Sequence, residues 1–184
     1  MEAWCRQIED HYAAQWGVRG EPCALPAGPV HELPADFGVL CFTPRRGRSC
    51  WTFATRCMSQ PGDGKPIELH MFAPLPLSGI VELLTVTAHY QRTGARLDLG
   101  HSVNFGRPWL EDSRCDRGLV SLPYLGGPGL ELLTVAETTV RCLWLVPITA
   151  SEAAYKQRHG LDALEERFER ANVDYLDPRR LAVI

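Results

Sequence analysis

The chain has 184 residues, 45% of them hydrophobic and 22% charged, the balance of a globular protein with length for one domain and a sizeable core. Its formal net charge of −3 gives no general attraction for nucleic acid or anionic lipid, and no apolar stretch nears the roughly 20 residues needed to cross a bilayer. The opening MEAWCRQIEDHY carries acids and no apolar run, so no secretory signal is expected. The seven cysteines are an odd number without a Cys-x-x-Cys pair, and together these features predict a reduced, cytoplasmic protein with every thiol free.

Trp4, Ile8, Tyr12 and Trp16 recur every four positions and predict a helix over residues 1–17, stopped by Gly17. Residues 18–36 carry Pro22, Pro26, Pro29 and Pro34 and read as a Pro-rich connector. Three strands are expected next, FGVLCFT (37–43), SCWTFATRCM (49–58) and IELHMFAP (67–74). The second places Trp51, Phe53, Thr55 and Cys57 on one face. The third sets Ile67, Leu69 and Met71 against Glu68 and His70. Turn residues separate the three, favouring an antiparallel meander. The basic cluster Arg45-Arg46-Gly47-Arg48 departs from the overall charge and reads as the first of those turns.

SGIVELLTVTAHYQRTG changes to a helical period, with Ile80, Leu83, Leu84, Thr87 and Tyr90 inward, Ser78 as cap and Gly94 as stop. Residues 98–118 read as one long irregular passage. Strands are expected again at 119–125, 130–135 and 138–148, with pairing ending at Pro147. Thr149 and Glu152 fit a capping box that starts a helix with Tyr155 and His159 on one face. After Gly160 a second helix should bury Leu164 and Phe168.

Chemical motifs are sparse. GHSVNFG (100–106) misses the G-x-S-x-G spacing of a nucleophile elbow. Cys50, Cys57, His70, His89, His101 and Cys115 include no close ligand pair of the structural-zinc kind, and LGGPGL lacks the frame of a phosphate loop. No enzyme activity, metal or cofactor is expected; a hydrolase using His101 and Ser102 stands as an alternative. The passage 98–118 is the better candidate, because a loop of that length inside a compact domain is often functional. It offers His101, Asn104, Arg107, Trp109 and Arg114 for binding a partner, Arg and Trp being enriched at interface hot spots. Trp109 fits either an interface anchor or a plug in the core edge.

From residue 100 onward the chain resembles the Suppressor of Fused domain family, through GHSVNFGRPWLEDS, SLPYLGG, CLWLVPIT, SEAAYKQRHGLDALEERF and DYLDP. The first half agrees in layout, with a Trp-bearing helix and three strands. The resemblance implies an α+β fold across 1–184, a single-domain sandwich of largely antiparallel sheet and helices like the family's N-terminal domain, without a counterpart of the animal protein's second domain. It also implies a non-catalytic protein that binds another protein. The animal relative sequesters a transcription factor, and stand-alone bacterial relatives look like immunity proteins that neutralise a cognate polymorphic toxin. A cognate toxin domain is therefore the expected partner, with a peptide-binding scaffold or regulator as the alternative; neither nucleic acid nor membrane is expected. The oligomeric state is open.

Overall fold

The apolar run from Thr138 to Thr149 becomes the longest strand, β8, and the sheet is assembled around it. The computed structural model describes residues 1–26 and 29–184. Strands β1 (Glu21–Pro22), β2 (Gly38–Phe42), β3 (Trp51–Arg56) and β4 (Ile67–Ala73) form the antiparallel meander. β4 then lies parallel to β8, Leu69 opposite Leu143. On its other side β8 pairs antiparallel, first with β7 (Leu132–Val135), then with β6 (Cys115–Ser121), and β6 carries β5 (Ser102–Asn104) at the sheet edge. The result is a mixed α+β fold with a largely antiparallel sheet.

Alternation along the strands divides the core. One face puts Phe53, Leu69, Met71, Leu143 and Leu145 under helix α2 (Ser78–Thr93), which contributes Ile80, Val81, Leu83 and Leu84. The β-branched Thr85 and Thr87 are tolerated there because their hydroxyls donate to the carbonyls of Val81 and Leu83, four residues back. The opposite face is shared. Helix α1 (Glu2–Trp16) covers Leu40, Phe42, Ala54, Val140 and Cys142. Helices α4 (Ala150–His159) and α5 (Leu161–Arg170) cover Phe72, Trp144, Val146 and Ile148. Aromatic rings join the two halves: Trp16 to His70 at 5.7 Å, His70 to Phe72 at 5.3 Å, Phe72 to Trp144 at 5.3 Å and Trp144 to Tyr175 at 4.9 Å. No helix among the described residues is long and apolar enough to cross a membrane.

Several expectations need correction. The connector 18–36 contains strand β1 and a 3-10 turn at Pro29–Glu32. The stretch 119–125 is strand only to Ser121, and Pro128–Glu131 forms a short helix, α3, before β7. Leu77, not Ser78, is the N-cap of α2. Pairing does not stop at Pro147: Gly118, Arg117 and Cys115 of β6 face Pro147, Ile148 and Thr149. The proline is accommodated because β4 leaves β8 at Trp144, and on that open side the Pro147 carbonyl instead accepts from the Arg180 Nη2.

The thiol expectation also fails at one pair, since Cys5 and Cys57 are joined in a disulfide with Cα atoms 5.3 Å apart. The cause is the end of β3. Glu68, fully buried on β4, accepts the Thr55 hydroxyl at 2.5 Å, the Ser59 hydroxyl at 2.6 Å and the Ser59 amide at 2.9 Å. These bonds draw the chain back over the sheet, and Cys57 takes a left-handed φ of 58°. Its sulfur thus leaves the face of Phe53 and joins the core under α1, where Cys5 lies on the inward stripe. Cys23, Cys41, Cys50, Cys115 and Cys142 remain free.

The capping box forms as expected: the Thr149 hydroxyl accepts the Glu152 amide at 3.2 Å and the Glu152 carboxylate accepts the Thr149 amide at 2.8 Å. Thr149→Ala is expected to destabilise the protein by about 0.5–2 kcal/mol in chemical denaturation. Alkylation of the denatured protein without reductant should label the five free cysteines and leave two unlabelled until a reductant is added. Labelling of the full set at the first step would show that the bridge does not form.

Candidate functional site

The passage expected to be irregular holds an edge strand. In the antiparallel register of β5 and β6, Val103 faces Gly118 and the Phe105 amide donates to Asp116. Backbone groups alternate sides along a strand, so the N–H and C=O of Ser102 and Asn104 point away from β6 along an edge that no described strand covers. Gly118 makes room for this arrangement: a Cβ there would lie 2.6 Å from the Phe105 ring and from Leu145.

Between β5 and α2 runs a cleft of about 380 Å³, lined by Glu82, Val86, Tyr90, Asn104, Phe105 and Arg107 among others. Val86 and Tyr90, four apart on the helix, are 43% and 41% exposed, so an apolar strip lies beside the free strand edge. Arg107 spans the cleft mouth and donates to the Glu82 carboxylate at 2.7 Å and to the Gly79 carbonyl at 3.3 Å. Both partners are largely solvated, so the pair contributes little to stability and its groups stay available to a ligand. Asn104 is spoken for locally, its Oδ1 accepting the Gly106 amide at 2.9 Å.

Of the five candidates, the cleft brings together Asn104 and Arg107. His101 sits outside it on an exposed turn, where its Nδ1 accepts the Asp98 amide at 3.2 Å. No hydrogen bond joins it to Ser102 among the described residues. Arg114 is exposed and makes no ion pair among the described residues. Trp109 is 1% exposed and packs with Leu97, Leu110 and Cys115 in the core beneath α2, which selects the core-plug reading for this residue. Sequence reasoning missed the α2 side of the cleft by placing Tyr90 among the inward residues. The signal was Val86, an apolar residue off the inward stripe whose neighbour one turn on is Tyr90. Among the described residues no three side chains of His, Cys, Asp or Glu gather to hold a metal ion.

Comparison with known proteins bears on the family and the fold. A family model described as Suppressor of fused protein matches residues 34–181. The fold is similar to a SUFU (suppressor of fused protein) homologue from Neisseria gonorrhoeae, with a TM-score of 0.86, 27% identity, and coverage of 100% of this chain and 98% of that one. It is also similar to the structure of a Sufu–Fu complex, at TM-score 0.73, 15% identity and coverage of 98% and 92%. Drosophila Suppressor of Fused matches at TM-score 0.72 and 15% identity over 98% of this chain, which spans 51% of the Drosophila protein. No curated protein matches the sequence.

With its ring inside the core, Trp109→Ala is expected to destabilise the fold by about 3–5 kcal/mol. Partner affinity per folded molecule should not change. A variant that melts like the parent would return Trp109 to the surface.

Proposed function

Since the chain belongs to the Suppressor of fused family, we propose that it is a non-catalytic cytoplasmic domain that binds another protein through the α2–β5 cleft. The partner class we favour is a toxin domain encoded beside it, which binding would neutralise. The observation that carries the binding mode is the free edge of β5 next to an apolar strip. A partner strand could pair with the outward backbone groups of Ser102 and Asn104, while Val86, Tyr90 and Phe105 receive its side chains. The likeness to a bacterial homologue along 98% of that chain supports the immunity reading. The partner named with Sufu in the Sufu–Fu complex supports protein binding in general. A regulator that binds a peptide at the same edge is the second reading, and the same strand-addition geometry favours it.

Co-expression with the neighbouring toxin domain separates them: rescue of growth supports immunity, and unchanged killing overturns it. The cleft is tested by Ser102→Pro, which removes an edge donor at a site where proline is structurally tolerable, and by Arg107→Ala. Each is expected to leave the melting temperature nearly unchanged and to cost about 2 kcal/mol of partner affinity by calorimetric titration. Unaltered affinity in both variants would move the interface elsewhere.

A further inference from the structure

The basic turn between β2 and β3 is more than a connector. The amide of Arg45 donates to the Arg48 carbonyl at 2.8 Å and that of Arg48 to the Arg45 carbonyl at 2.9 Å, closing a tight turn with Gly47 at φ 89°. This sets three guanidinium groups around a pocket of about 330 Å³ whose other walls include Trp16, Phe72 and Leu125. No carboxylate lines the pocket, and none of the three arginines forms an ion pair among the described residues.

Their roles differ. Arg45 is committed to the fold, its Nη1 donating to the carbonyls of Trp16 and Gly17 at the end of α1, where a cation is favoured. Gly17 permits this, with φ 63° and no Cβ to meet the guanidinium. Arg46 is exposed and makes no hydrogen bond among the described residues. Arg48 lies over the Trp16 ring, 5.5 Å from its centroid, and uses Nη2 on the Thr43 carbonyl. Its Nε and Nη1 are buried without a partner, and so is the indole Nε1 of Trp16, a side chain 7% exposed. Arg48 and Trp16, which carry these three donors, both line the pocket; the other unpaired buried groups, the Trp109 and Trp144 indoles among them, belong to residues outside it. Leaving a buried donor unmade is costly, more so on a charged group.

We propose that the Arg45–Arg48 turn and the end of α1 form a binding site for a small oxyanion, a phosphate or carboxylate group, received by Arg46, Arg48 and the Trp16 indole. The site shares no residue with the α2–β5 cleft and does not depend on it. Among the residues that line the pocket every unpaired buried group is a donor, which matches an acceptor-only ligand. Guanidinium groups suit the geometry of such oxygens better than ammonium groups do.

The test follows the indole N–H signals of the five tryptophans by NMR, with Trp16 assigned through Trp16→Phe. Sodium phosphate and, separately, sodium acetate are titrated at fixed ionic strength. The Trp16 signal should shift saturably with at least one of them, and the one that saturates names the ligand chemistry. Arg46→Gln and Arg48→Gln should each weaken that binding about tenfold or more, while Arg6→Gln, on the exposed face of α1, should not. Arg48 also packs on Trp16, so its loss is able to perturb the turn; the Arg46 side chain makes no hydrogen bond or ion pair among the described residues and keeps the test sound. No Trp16 shift with either anion, or a shift that survives Arg46→Gln and Arg48→Gln alike, overturns the site.

Discussion

One buried ion pair holds the C-terminal third together. Glu152, fully buried at the start of α4, receives Arg180 on both oxygens at 2.7 and 2.8 Å, the Thr149 amide at 2.8 Å and the Val183 amide at 3.2 Å. Burial alone would raise its pKa, but the hydrogen bonds and charge of Arg180 outweigh that and hold the carboxyl below its ordinary value. Arg180 in turn donates to the carbonyls of Pro147 and Leu181 and lies 5.6 Å from the Phe168 ring centroid. A strand end, a helix start, the face of α5 and the terminal segment thus meet at one carboxylate. A pair so fully hydrogen-bonded can offset its desolvation, whereas removing either partner would strand a buried charge.

The same pair shows what a sequence can and cannot display. Thr149, Glu152 and the apolar run before them are local, and local patterns announce strand, cap and helix without tertiary knowledge. Arg180 lies 28 residues beyond Glu152, and nothing nearby marks it as the counter-ion. The disulfide was hidden for a like reason. Period-2 counting puts Cys57 beside Phe53, and it takes Glu68, 11 positions on, to draw the chain over. β5 escaped because three residues are too few to establish a period, and its pairing is fixed by β6 alone. In the candidate site, Asn104 and Arg107 were legible from composition, while Val86 and Tyr90 became part of it only when β5 was brought beside α2.

An exposed strand edge is normally a liability, and proteins blunt it with short strands and polar residues. β5 follows that rule in length, with Asn104 exposed at its end. Yet the adjoining helix face leaves Val86 and Tyr90 in solvent, where stability alone would favour polar residues. A short, polar edge beside an apolar strip limits indiscriminate pairing and still offers both backbone and side-chain contacts to a fitting strand.

Arg180, which is buried, and Arg48, which is half-buried, mark how differently this chain treats similar groups. Around Arg180 the donors meet a carboxylate and two carbonyls, and the guanidinium is held above its ordinary pKa by Glu152 despite burial. Around Arg48 burial pushes the guanidinium the other way, and the neighbouring charge of Arg45 adds to that direction. One end of the protein satisfies a buried guanidinium with its own side chains, and the other leaves two guanidinium nitrogens of Arg48 without a partner. Arg48 lines a pocket without a carboxylate, beside a tryptophan whose indole is also unpaired. A fold that closes one such site internally and leaves the second short of acceptors has the character of a site completed from outside.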